Sequence, residues 1–250
     1  MKAMILAAGL GTRLKPLTET VPKALIEVGG IPMLERIIVT LRSQGFDYII
    51  VNVHHFSDKI CKFLSERDFG VEILISDESD FLLDTGGGIA KAYELLFKKD
   101  NQSVLIHNVD IISNADLRVL IEESEKQKCG MLLVGERDSS RKLIFNEDME
   151  LVGWHDVKKD LFRPSNIEKC QNYVELAFSG IYTVTKSEVE EMLQLKGENK
   201  YSIIDYFLHE NRKESIRGIK SENLRVIDIG KPATLLQARE LLKYSDTITN

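Results

Sequence analysis

Cysteine is scarce in this 250-residue chain: Cys61, Cys129 and Cys170 are odd in number, widely spaced and form no Cys-x-x-Cys pair. That pattern excludes a disulfide framework and offers no zinc-site spacing. Also missing is any apolar stretch near the ~20 residues that span a bilayer, so no membrane segment is expected. The N-terminal "MKAMILAAGLGTRL" carries one lysine and a short apolar run. The run is too short for a signal peptide, and glycines and an arginine stand where a cleavage region would lie. It reads as the buried first strand of a cytoplasmic protein. Basic charge is not in excess either: the net charge is −6. Phosphate backbones are gripped by basic surfaces, so nucleic acid is not an expected partner. A few basic residues converging in a cleft can still hold a small phosphorylated molecule. Repeats of solenoid period are absent, and no linker is biased enough to separate units, so one domain over residues 1–250 is expected.

What is present up to about residue 136 is an alternation of strand and helix patterns. "AMILAA" (3–8) is apolar throughout, as a strand covered on both faces would be. "PMLERIIVTLRSQG" (32–45) opens on proline, repeats its apolar residues at helical spacing and ends in glycine. Strands are predicted at 48–53, 71–76, 103–109 and 130–137, and helices at 57–67, 87–99 and 115–127. Ser57 is placed to cap the first of these helices, and Ser113 with Asn114 the last. Strands separated by helices of this length imply right-handed crossovers and a parallel sheet with helices on both sides. Beyond 137 the rhythm changes. A hairpin is expected over 142–148 and 150–156, a strand at 173–185, short helices at 186–194 and 202–211, a strand at 224–230 and a helix at 232–244. This half reads as a substrate-shaping layer on the same sheet.

Residues 7–25, "AAGLGTRLKPLTETVPKAL", follow the first strand directly. Gly9 and Gly11 let the backbone approach a ligand and take positive φ, and successive N–H groups there can form an anion-binding concavity. The glycines fit neither G-x-G-x-x-G, which needs glycine at Leu14, nor a P-loop, since no G-K-[ST] follows. On their own they support only a tight turn. Arg13, which offers a planar donor fork, and Lys23 bracket the loop, with Pro16 and Pro22 stiffening it between them.

This stretch resembles the signature of the sugar-1-phosphate nucleotidylyltransferases, G-x-G-T-R-[LM]-x-P-[LM]-T-x4-P-K. The match comprises Gly9, Gly11, Thr12, Arg13, Leu14, Pro16, Leu17, Thr18, Pro22 and Lys23. The resemblance implies the nucleotide-diphospho-sugar transferase fold, an α/β Rossmann-like three-layer sandwich with a mixed, mostly parallel sheet. It implies a nucleotide-binding half over 1–136, and a half over 137–250 that binds the sugar and supplies a second metal ligand. Ala8, Gly9, Gly11 and Thr12 would wrap the nucleoside triphosphate, Arg13 would hold the departing pyrophosphate, and Lys23 would contact phosphate at the reaction centre.

Other stretches extend the resemblance. "DTGGGIAKA" (84–92) puts three glycines at a predicted helix start, where free N–H groups favour anionic atoms. Thr85, Gly86 and Gly87 are the candidates there, with close helix–strand packing as the other reading. "HNVD" (107–110) places Asn108 and Asp110 at the ligand-facing end of a strand. Family members read N-G-D there, the aspartate binding Mg²⁺; here the aspartate is kept and Val109 replaces the glycine. "DIG" (228–230) matches the family's late D-x-G motif, which makes Asp228 the second carboxylate for Mg²⁺ alongside substrate phosphates. Asn52 and His54 end a strand and could touch the base; His55 points the other way. "YVELAFSGIY" carries Glu175, Ser179 and Gly180 beside the expected sugar site, or forms a plain strand with a glycine bulge. Trp154 reads as packing.

The implied reaction joins a nucleoside triphosphate and a sugar 1-phosphate, giving an NDP-sugar and pyrophosphate. "DTGGGIAKA", "FSGIY" and "DIG…LLQAREL" are most similar to the N-acetylmuramate-1-phosphate uridylyltransferases of cell-wall recycling. Mannose-1-phosphate guanylyltransferases more often carry an alanine within the glycine trio. GTP with mannose 1-phosphate, or a related hexose or heptose 1-phosphate, is the alternative pair. An inactive nucleotide-sugar-binding regulator is the alternative of another class.

Overall fold

The computed structural model describes residues 1–165, 167 and 172–242. Strand β1 (Lys2–Leu6) is buried along its whole length. Three 3-10 turns follow at 12–14, 17–19 and 23–25. The chain continues through β2 (Glu27–Val28), β3 (Ile31–Pro32), α1 (Met33–Ser43), β4 (Tyr48–Val53), α2 (Ser57–Ser65), β5 (Glu72–Asp77), α3 (Asp84–Lys91) and α4 (Tyr93–Leu96). Then come β6 (Val104–Asn108), β7 (Ile111–Ser113), α5 (Arg118–Gln127), β8 (Gly130–Gly135), β9 (Arg141–Phe145), β10 (Leu151–Asp156) and β11 (Leu161–Arg163). The last elements are β12 (Val174–Val184), α6 (Lys186–Lys196), α7 (Ile203–Phe207), β13 (Ile216–Lys220), β14 (Val226–Asp228) and α8 (Pro232–Leu241).

The central sheet runs β5–β4–β1–β6–β12–β8–β13. All neighbours in it are parallel except at β12, which is antiparallel to both β6 and β8. The first three residues of β12 leave this sheet and pair instead with β9, starting an antiparallel ribbon β9–β10–β11. Alternate residues of β1 feed opposite cores. Ala3 and Ile5 pack with α1, α2, α5 and α8, while Met4 and Leu6 pack with α3, α4, α6 and α7. The fold is thus the expected three-layer sandwich with a mixed, mostly parallel sheet. Among the described residues no helix is long and apolar enough to cross a membrane.

Several local expectations need correction. Ser57 is the first residue of α2 rather than its cap; Phe56 takes the cap position at φ 55 without a side-chain bond. Ser113 lies in β7. The Asn114 side chain joins Arg225 N–H (2.8 Å) and Asn223 O (3.1 Å) rather than capping α5. The helix expected over 87–99 starts earlier, at Asp84, and breaks at Ala92 into α3 and α4. Strand β13 escaped notice because "IRGIK" is too polar to read as part of a sheet. Cys170 and residues 243–244 of the last expected helix lie outside the described residues.

At the start of α6, Thr185 and Glu188 form a reciprocal capping box, as Ser202 and Asp205 do at α7. Glu188 also accepts Gly130 N–H at 2.7 Å, so it ties α6 to β8 from a fully buried position. Burial pushes its pKa up to about 7, although three hydrogen-bonding groups oppose the shift.

Candidate active site

The loop after β1 is built from the backbone outward. Asn52, at the end of β4, is 2% exposed. Its amide oxygen accepts Ala7 N–H (2.7 Å) and Ala8 N–H (3.3 Å), and its amide nitrogen donates to Glu78 (2.6 Å). Glu78 is itself buried, accepts Leu83 N–H at 3.1 Å, and burial raises its pKa against the pull of those bonds. Asn52 therefore shapes the loop from beneath. Gly9 is open: no atom lies within 4 Å of where a side chain would start. Gly11, at φ +63, turns the chain, and its carbonyl accepts both Leu14 N–H and the Thr18 hydroxyl at 2.9 Å. Exposed Thr12 and Arg13 stand on the 3-10 turn this creates, with Leu14 buried below them.

Opposite the loop, β7 and β14 form a two-stranded antiparallel ribbon that sets Asp228 against Ile111, next to Asp110. The Asp110 carbonyl accepts Ile229 N–H at 2.9 Å, locking the two aspartate-bearing segments together. Lys23, on the turn after Pro22, makes an ion pair with the Asp110 carboxylate, and both side chains are only 12% exposed. Gly230 shows how tightly the groups converge. A Cβ there would lie 2.8 Å from Asp228 Oδ1, 3.1 Å from Asp110 Oδ2 and 3.3 Å from Arg13 Nη2. Gly230 N–H also donates to Asp228 Oδ1 at 2.7 Å. Arg13, Lys23, Asp110 and Asp228, distant in sequence, thus form one cluster, and Gly230 leaves it the room. The D-x-G motif contained that glycine, but reading it for its aspartate alone passed over it. Val109, where the resemblance expects glycine, is buried in the core, its N–H on Leu6 O at 3.2 Å.

Asn108 joins the edge of this region, against Gly180: a Cβ on Gly180 would come within 2.6 Å of Asn108 Nδ2. Gly180 sits at φ +78 in the bulge that shifts β12 against β8. Its neighbour Ser179 turns away from the site. It is 1% exposed, donates to Leu133 O at 2.7 Å and accepts Ile181 N–H at 3.3 Å, so it fixes the bulge. Glu175 is five residues back along an extended strand, roughly 16 Å at ~3.3 Å per residue. There it pairs with β9, and both carboxylate oxygens lie 3.1 Å from His155 Nδ1. Ser179 and Glu175, expected beside the sugar, thus have these polar groups engaged within the fold.

The glycine trio makes its contacts within the fold as well. α3 begins at Asp84, so Gly86, Gly87 and Gly88 lie inside it and are buried. Gly86 and Gly87 N–H both point to Tyr201 O, at 3.0 and 3.4 Å, and the Thr85 hydroxyl accepts Ile203 N–H at 2.8 Å. Any side chain on Gly86 or Gly87 would collide with the 199–201 segment. These three residues dock the start of α7 onto α3, the packing alternative. His54 Nδ1 bonds Glu78 O at 2.6 Å, a structural role. Trp154 packs against the second core beside the Arg163 guanidinium, as expected.

His107, on β6 below this region, is fully buried with Nδ1 on Asn108 O at 2.8 Å, and burial pushes its pKa down to about 4. The unfolded chain takes up this proton below about 6.5, so His107 contributes stability above that pH and loses it toward 4. Glu188 has the opposite sign. Its folded pKa exceeds that of the unfolded carboxyl, so stability falls as pH rises from about 4.5 to 7. Each effect reaches about 3 kcal/mol at most, and over pH 4.5–6.5 they oppose each other. Urea unfolding of His107→Gln is expected to show stability falling with pH relative to wild type, and Glu188→Gln to show it rising. Profiles parallel to wild type would disprove this pairing.

Comparison with known proteins places the cluster in context. Over 113 residues the chain is 42% identical to N-acetylmuramate alpha-1-phosphate uridylyltransferase of Caulobacter vibrioides, covering 44% of this chain and 46% of that protein. It is 40% identical over 117 residues to the protein of the same name from Neisseria meningitidis, covering 46% and 49%. Over 124 residues it is 38% identical to mannose-1-phosphate guanyltransferase of Pichia angusta, covering 49% and 34%. The matches thus span about half or less of each curated relative's length. HddC from Yersinia pseudotuberculosis, solved with GMP-PN, superposes with a TM-score of 0.74 at 23% identity, covering 96% of this chain and 98% of that one. A putative glucose-1-phosphate thymidylyltransferase from Bacillus anthracis gives 0.78 at 20% identity, covering 98% and 96%. At these identities the structures establish a shared fold. The family described as nucleotidyl transferase matches residues 2–145, the larger part of the chain, and the chain belongs to that family.

Proposed function

We propose that the chain transfers a nucleoside monophosphate from a nucleoside triphosphate to a sugar 1-phosphate. The observation that carries this reading is the convergence of Arg13, Lys23, Asp110 and Asp228 around Gly230. A sugar-phosphate oxygen forms a bond to the α-phosphorus, the bond to the β-phosphate oxygen breaks, and pyrophosphate departs with the electron pair. Both reactants are anions, so alignment and charge neutralisation supply most of the catalysis. The Gly9–Arg13 loop presents open backbone and a guanidinium to the triphosphate. The Arg13 fork suits the departing pyrophosphate, and the Lys23 ammonium offsets charge at the reacting phosphate.

The donor set fits Mg²⁺. Two carboxylates face one small space that a Cβ at Gly230 would fill, and Mg²⁺ is commonly held by one or two carboxylates plus substrate phosphates. Asp110 and Asp228 would hold the ion, which when bound would supply Lewis-acid polarisation of phosphoryl oxygens. Asn108 and Gly180 border the cluster on the side where the sugar would lie.

For the substrate pair we favour UTP with N-acetylmuramate 1-phosphate, supported by the names of two relatives at 40% and 42% identity. Pyrophosphate release, measured with each triphosphate against a panel of sugar 1-phosphates and Mg²⁺, tests both levels. Turnover with GTP and mannose 1-phosphate alone would replace the pair. Nucleotide-sugar binding without turnover on any pair would instead indicate a regulator.

A further inference from the structure

Arg137, just beyond β8, is a half-buried cation without a carboxylate. Its Nη2 donates to Phe178 O at 2.7 Å. Its Nε is buried and has no hydrogen-bond partner among the described residues. No ion pair engages it among them either. Burial depresses its pKa, and the negative charge of Asp228 offsets this only in part. A buried guanidinium left unpaired is costly, and the fork geometry is suited to a carboxylate.

The guanidinium lines a cavity of about 630 Å³, a volume typical of small-ligand sites. Val226 and Ile227 form one wall and lead directly into Asp228. Ser179 forms another and leads into Gly180, the neighbour of Asn108. Two of the segments that line the cavity therefore run directly into the region of the charged cluster. Lys220, also on its lining, is committed to Glu136 at 3.0 Å. Arg225 lines it as well, and Arg137 brings to it a buried Nε with no hydrogen-bond partner among the described residues. Asp228 lies near enough for its charge to act on Arg137, so a carboxylate suited to a metal-bound phosphate and a cation suited to an acid further along the same molecule stand close together.

We propose that Arg137 is a specificity-determining residue that receives a carboxylate carried by the sugar, so that the protein selects acid-bearing sugar 1-phosphates over neutral ones. The proposal rests on the nucleotidyl-transfer reading for the phosphate end of the substrate. N-acetylmuramate 1-phosphate has such a carboxylate; N-acetylglucosamine 1-phosphate has the same ring and acetamide without it.

The test uses the full chain with Mg²⁺ and UTP, and reads both pyrophosphate release and calorimetric binding of the sugar phosphate. Wild type is expected to prefer the acidic sugar, and Arg137→Gln to weaken that sugar alone by about 10- to 100-fold, the value of a buried hydrogen bond to a charge. The loss should appear in KM or Kd, with the neutral sugar changed less than about twofold on the same scale. The neutral sugar also reports whether the variant is folded. Arg137→Lys, which keeps the charge without the fork, should retain part of the preference.

Equal weakening of both sugars would assign Arg137 to the scaffold and overturn the proposal, as would a wild type indifferent to the carboxylate. Glucose 1,6-bisphosphate, whose second acid is a phosphate, provides a further arm. Its binding more tightly than the carboxylate sugar, in an Arg137-dependent way, would overturn the carboxylate assignment. An Arg137-dependent preference in binding without turnover on any sugar would sustain the inference and reject nucleotidyl transfer. Turnover without that preference would do the reverse.

Discussion

Asp228→Asn should lower pyrophosphate-releasing turnover by about 10³-fold, the scale of losing a charge aimed at the reacting phosphates. The change keeps an oxygen that can still accept Gly230 N–H, now bonded at 2.7 Å. It leaves β14 paired with β7 through backbone bonds alone. The unfolding free energy should therefore stay within about 0.5 kcal/mol of wild type. The variant removes only the negative charge that, with Asp110, faces the space beside Gly230. Raising the Mg²⁺ concentration should restore part of the rate if the loss lies in ion affinity. Near-normal turnover in the folded variant would remove Asp228 from the mechanism. Lys23→Ala gives a complementary result: it frees Asp110 from its ion pair, so turnover falls while the carboxylates remain able to take the cation.

Asn52→Leu should destabilise the chain by about 3–5 kcal/mol, at roughly 1–3 kcal/mol for each buried polar group stranded. Ala7 N–H and Ala8 N–H lose their acceptor, and Glu78 loses its amide donor and keeps only Leu83 N–H. The effect should extend to nucleotide affinity, because those two amides set the path of the chain into Gly9. Asn52→Asp separates this account from simple packing. It keeps an acceptor for the amides but sets a second carboxylate against Glu78, so one of the two must hold a proton. Stability of that variant should therefore rise as pH falls, measured by urea unfolding between pH 7 and 5. A pH-independent loss would show that the hydrogen-bond relay is not what Asn52 supplies.

The layers of the fold were legible because the periodicities are strong. The apolar runs of β1, β4 and β6 could only be strands covered on both faces, and α1 is bounded by Pro32 and Gly45. The charged cluster was legible for a different reason: Arg13, Lys23, Asp110 and Asp228 sit in short motifs whose spacing persists without a structure. What could not be read was direction. Nothing in "DTGGGIAKA" says that its glycine N–H groups are taken by Tyr201, more than a hundred residues on. Nothing in "FSGIY" says that Ser179 points down to Leu133 while Gly180 faces Asn108. β7 and β14 are three residues each, too short for any period, yet their pairing brings the two aspartates together. Arg137 drew no notice in the sequence because burial is a tertiary property.

The β7–β14 pairing also sets when during synthesis the site can exist. A ribosome delivers Arg13, Lys23 and Asp110 more than a hundred residues before Asp228 and Gly230. A nascent or prematurely terminated product that stops at residue 145 contains everything the family match recognises. It lacks β14, the second carboxylate and the glycine that makes room between them. Such a fragment would carry the family's signature while missing half of the carboxylate pair, so the cluster is complete only once β14 has been made.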